Sequence, residues 1–67
     1  MLRRLKKGDK VYHCVHGVKE VYITDYNDVD GLNIKVHHKW YDSSGKNMSG
    51  QQCLFNNERE YLNESKV

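Results

Sequence analysis

The four histidines and two cysteines of this chain are its candidate metal ligands and, for the cysteines, nucleophiles: His13, Cys14, His16, His37, His38 and Cys53. Structural zinc takes four ligands, usually supplied as two close pairs. Cys14 and His16 are one residue too close for the common knuckle. His37 and His38 point to opposite faces of a strand, and Cys53 stands alone. A metal would have to be assembled across strands, so no metal or other cofactor is expected. Nucleophilic catalysis needs a Cys or Ser beside a base and an oxyanion pocket. The two cysteines and nearby histidines meet that need in residue type only. No paired carboxylates, phosphate-cradling glycine loop or nucleotide fingerprint accompanies them, and a domain of 67 residues has little room for a water-excluding cleft. The expectation is a protein that is not an enzyme.

Binding chemistry is better supplied. Tyr12, Tyr22, Tyr26, Trp40 and Tyr41 are more aromatic surface than a thin core takes up easily, and Tyr and Trp are the side chains that most often anchor interfaces. Lys35 and Lys39, with His37, fall on one face of the third strand, beside Trp40 and Tyr41. Bases can stack on such aromatics while cations follow phosphates. Arg3, Arg4, Lys6 and Lys7 read as a flexible basic arm. Residues 1–20 carry six Lys/Arg against two acids, and residues 21–45 carry two against four. Asp25, Asp28, Asp30 and Asp42 would repel a nucleic-acid backbone. A protein partner is therefore the first expectation and nucleic acid the second, with self-association through a strand edge as a variant of the first.

The elements that must position these residues read as short strands. Charged residues make up 30% and hydrophobic residues 37%, with mean hydropathy −0.91. That balance folds as one small water-soluble domain, and apolar runs of two or three residues are too short for a membrane span. The basic start is followed by no apolar stretch, so a secretory signal is not expected. A Gly8-Asp9 turn opens a strand over residues 11–15, with Val11, His13 and Val15 on one face. His16-Gly17 marks a turn. Residues 18–26 form a second strand, and residues 27–31 a loop rich in Asn and Asp. Leu32, Ile34 and Val36 alternate strictly with Asn33, Lys35 and His37, predicting a third strand whose inner register continues through His38 and Trp40. Residues 42–46 are a turn, and residues 48–55 a fourth, less regular strand. Asn57 and Glu60 resemble a capping box ahead of one or two helical turns, with Tyr61 or Leu62 folding back and the last residues fraying. Cys14 and Cys53 are expected as free, partly buried thiols, with a single bridge between them as the alternative, and no internal repeat is evident. Four or five such strands are too few for a sandwich; curling the sheet hides its edges. The expected fold is mainly β, a small SH3-like barrel of four or five strands with a short C-terminal helical turn, an OB-like barrel being the alternative that goes with nucleic-acid binding. Its parts are a basic arm (residues 1–7), the barrel (8–56) and a helix and tail (57–67).

Lys7-Gly8-Asp9-Lys10-Val11-Tyr12, Gly17, Ile34-Lys35-Val36, Trp40-Tyr41-Asp42 with Gly45-Lys46, and Leu54-Phe55 together resemble a loose group of small bacteriophage and prophage proteins. The resemblance spans roughly residues 6–56. It implies an SH3-like barrel acting in the cytoplasm of a bacterial host as an accessory protein that docks on a host or phage protein. Inhibition of a host defence or transcription factor is one concrete form. The resemblance carries no catalytic residues.

Overall fold

A computed structural model describes residues 2–29 and 31–65. Met1, Asp30, Lys66 and Val67 lie outside the described residues, and with them part of the expected arm, acidic loop and fraying tail. The fold is mainly β: β1 (Lys10–His13), β2 (Gly17–Glu20), β3 (Ile23–Thr24), β4 (Leu32–Val36), β5 (Lys39–Asp42) and β6 (Leu54–Phe55), followed by α1 (Glu58–Ser65). They form two antiparallel three-stranded sheets, ordered β2-β1-β6 and β3-β4-β5. No ladder joins the two sheets among the described residues, so they do not close into a cylinder.

Residues 18–26 were expected as one strand and instead turn a corner. The Val21 N–H donates to the Asp9 carbonyl in the first sheet, and the Tyr22 N–H donates to the Lys35 carbonyl in the second. Val21 is thereby buried at the junction while Tyr22 remains 64% exposed. The first strand also ends early, at His13; Val15 sits in a loop and is 75% exposed rather than on the inner face.

The third expected strand departs from the sequence reading most instructively. The chain reverses at His37 and His38, whose φ values are 50° and 68°. Positive φ at both central residues is what a two-residue type I′ hairpin requires. Histidine tolerates this region better than most non-glycine residues. β5 then folds back with Val36 opposite Lys39, Lys35 opposite Trp40, and Ile34 opposite Tyr41. This reversal swaps the faces: Tyr41 is buried beside Ile34, and Trp40 joins Lys35 on the other side.

The core comprises Leu2, Leu5, Val11, Val21, Ile34, Val36, Tyr41 and Leu54. Two of these lie in the segment expected to be a free basic arm. Leu2 and Leu5 pack inward, and Arg3 fastens the segment. Its backbone N–H donates to Asn56 Oδ1 (2.9 Å) and its guanidinium to the Lys10 carbonyl (2.6 Å).

Residues 42–51 contain a structural duplication. Asp42 Oδ1 accepts from the N–H groups of Ser44 and Lys46, and Asn47 Oδ1 accepts from those of Ser49 and Gln51. In each loop the first residue's N–H donates to the fifth carbonyl, and the glycine N–H donates back to the first carbonyl. Asp-Ser-Ser-Gly-Lys and Asn-Met-Ser-Gly-Gln are thus one five-residue loop used twice. These loops replace most of the expected fourth strand, leaving β6 and a bridge between Lys46 and Gln52. Beyond them, Asn57 Oδ1 accepts the Glu60 N–H (3.0 Å) and caps α1. Tyr61 returns against Phe55 and Tyr12, with ring centroids 5.3 and 5.2 Å away.

Candidate functional site

All four histidines of the chain lie in one cluster, because two hairpin ends meet. The loop of residues 14–16 joins β1 to β2, and the His37-His38 turn joins β4 to β5. Ring centroids are 3.9 Å apart for His16 and His37, 4.8 Å for His13 and His16, and 5.5 Å for His37 and His38. The second five-residue loop forms a third wall. Together they enclose a groove of about 770 Å³ with His13, Tyr41, Cys14 and Cys53 among its lining residues and Val15, Trp40 and Met48 contributing apolar surface.

His13 is a structural member of this cluster. Its Nδ1 accepts the N–H groups of Val15 (3.0 Å) and His16 (3.2 Å) and so shapes the loop. The proton of the neutral ring is therefore on Nε2, which donates to the Tyr41 hydroxyl at 2.9 Å. Burial lowers the His13 pKa below the usual imidazole value, helped by His16, His37, Lys19 and Lys39. His37 is lowered too, by desolvation and then by His16, Lys19, His38 and Lys39. Burial raises the Tyr41 phenol, with Cys53 and Cys14 adding to the effect.

The cysteines face each other, Sγ to Sγ, at 3.0 Å. Each sulfur has the other as its hydrogen-bond partner, so neither is paired with an imidazole. No group of three or more His, Cys, Asp or Glu side chains converges on a metal-sized site among the described residues. Among the described residues, Lys39 is the one Lys or Arg lining the groove and no Asp or Glu lines it.

The aromatic and basic residues singled out from the sequence are dispersed. Trp40 and Lys39 line the groove. Lys35 Nζ lies 5.9 Å from the ring centroids of both Tyr22 and Trp40, forming a second, adjoining surface. Tyr41 belongs to the core and forms part of the groove's inner wall. Tyr12 is half-buried against Tyr61, and the Tyr26 hydroxyl accepts the Leu5 N–H (2.6 Å). Arg4 lies over the Tyr26 ring at 4.3 Å. Arg3 is held between Asn56 and β1, while Lys6 and Lys7 are exposed ahead of β1. Lys35 and Lys39 do not share one strand face with His37, because the hairpin lies between them.

Val15 and Met48 are groove residues that sequence reasoning missed, being 75% and 82% exposed. Recognising the repeated Asx-x-Ser-Gly pattern would have placed Met48 at a loop tip. Compared with known proteins, the chain matches no family model, no curated protein and no solved structure.

Proposed function

We propose that this protein is a non-enzymatic binding module whose histidine-walled groove receives a segment of another protein. The observation that carries this reading is the exposed pair Val15 and Met48, which with Trp40 lines a groove containing Lys39 and, among the described residues, no acid. Solvent-facing apolar side chains around a concave site are a common mark of a docking surface. Charge complementarity selects the occupant: an extended peptide segment with a large apolar anchor beside Asp or Glu. The corner at Val21 and Tyr22, which carries the chain from one sheet to the next, supports reading the architecture as an open SH3-like roll. The resemblance to phage proteins supports a host or phage protein as the partner, with inhibition as one form of action.

A second reading draws on Lys35 between the rings of Tyr22 and Trp40, an arrangement suited to stacking a base while holding a phosphate. The dispersal of Arg3 and Arg4 away from this surface favours the peptide reading.

Panning a random peptide library on the folded domain tests the proposal. Enriched peptides should share an aromatic or large aliphatic residue flanked by acids. Val15→Ser combined with Met48→Ser, at two exposed positions, should weaken the selected peptides by about fivefold to 150-fold, through lost apolar burial of about 1–3 kcal/mol. No enrichment, or tight oligonucleotide binding that weakens steeply with salt, would refute the peptide reading. Dimerisation in place of peptide binding would also refute it, assigning the surface to self-association.

A further inference from the structure

Cys53 packs against the core and both cysteines line the groove, yet the peptide reading gives neither thiol a chemical role. We propose that they form a thiol–disulfide exchange site in the groove, where a small-molecule disulfide of the glutathione class converts them to an intramolecular cross-link.

The backbone prepares this site. In the β1-β6 ladder Tyr12 pairs with Phe55 and His13 with Leu54, and the Cys14 N–H donates to the Cys53 carbonyl at 3.0 Å. Cys14 and Cys53 are thus the next opposed pair in the same register. Opposed residues of an antiparallel ladder have Cα atoms about 4.5–5.5 Å apart. A disulfide accepts about 4.4–6.8 Å, so the cross-link needs side-chain rotation and little backbone movement. The sulfurs are already 3.0 Å apart. Both cysteines are half-buried and line the groove, which gives a small disulfide access.

The Cys53 thiol is pushed up to about 11, mainly by burial and then by its hydrogen bond and charge interaction with Cys14. Burial disfavours the Cys53 thiolate, so exchange opens from Cys14, an order that the single-cysteine variants test. The Cys14 thiolate attacks one sulfur of the small disulfide, forming a mixed disulfide and expelling one thiolate. Cys53 then loses its proton to solvent, and its sulfur attacks Cys14 Sγ. The second small thiolate leaves as the protein disulfide forms. Two protein thiols are oxidised by two electrons, and one small disulfide is reduced to two thiols. The bond closes a loop between positions 39 apart. It also ties the loop of residues 14–16 to the strand end leaving the second five-residue loop, joining two groove walls.

This inference goes beyond the peptide reading and is tested without a partner. The purified chain is equilibrated with mixtures of reduced and oxidised glutathione, then alkylated and weighed intact. Under oxidising mixtures the expected product is a monomer lacking two hydrogens, closed to alkylation, with Tm raised by on the order of 10 °C. Cys53→Ser should trap one glutathione on Cys14, whereas Cys14→Ser should leave Cys53 largely unmodified. Melting of both variants in reducing buffer establishes that they are folded. The proposal is overturned if the wild type remains fully alkylatable, carries glutathione on both cysteines, or cross-links between chains. Equal glutathione uptake by the two variants would overturn the assigned order of attack.

Discussion

Two backbone N–H groups aimed at His13 Nδ1 make this imidazole a fixed acceptor. Protonating Nδ1 would place a hydrogen against two donors, in a buried site among His16 from the loop, His37 from the turn, Lys19 from β2 and Lys39 from β5. The folded-state pKa of His13 is lowered, so the unfolded chain binds the proton more readily. Stability contributed by the neutral ring is full above about pH 6.5, the ordinary imidazole value. It declines as pH falls through that value towards the lower folded pKa. Urea unfolding between about pH 8 and about pH 5 should show this decline, and His13→Gln should flatten it. Tyr41→Phe leaves Nε2 without its partner in a buried position. That variant should lose about 1–3 kcal/mol at neutral pH in the same assay.

Among the elements, the paired five-residue loops make unequal demands on their glycines. Gly45 and Gly50 both have positive φ, 87° and 83°. A side chain at Gly50 would meet nothing within 4 Å, but a Cβ at Gly45 would lie 2.6 Å from the Leu54 carbonyl oxygen. The Gly45 carbonyl also accepts the N–H groups of Cys53 and Leu54, so the backbone there has little freedom to move away. Gly50→Ala should therefore cost about 1–2 kcal/mol, the conformational penalty alone. Gly45→Ala should cost roughly 1–3 kcal/mol more from overpacking, as read from denaturant midpoints. The sequence shows a turn at both places without showing that one is tighter. What the sequence does show depends on strict patterns. Leu32, Ile34 and Val36 reveal β4, and Asn57 with Glu60 reveals the start of α1. The hairpin after β4 escaped because His-His occupies a turn normally marked by Asn-Gly. Missing it inverted the assignments of Trp40 and Tyr41 and kept His16 and His37 from being placed side by side. Leu2 and Leu5 were overlooked because the cations around them dominate that segment.

For the whole molecule, the N-terminal segment supplies part of the core of a small domain. A chain of this size has only a modest margin of stability. Leu5 is 3% exposed, so Leu5→Ala should cost about 2–5 kcal/mol, enough to leave much of the population unfolded. A circular dichroism melt checks this. Arg3→Ala removes hydrogen bonds at an exposed position and should have a smaller effect; an equal loss would show that the clamp, not the leucine packing, holds the segment.

The clamp from Arg3 to Asn56 joins positions 53 apart, and β6 reaches β1 only after the rest of the sheet framework has been threaded. The hairpins β1-β2 and β4-β5 can zip from local turns, but the β1-β6 ladder must first close a long, costly loop. Refolding should therefore be governed by that late closure. Substitutions in β6 that disturb its pairing should accordingly slow refolding, while the early hairpins still zip at nearly unchanged rates. A fragment ending before Leu54 would hold its turns but remain without a lasting tertiary structure.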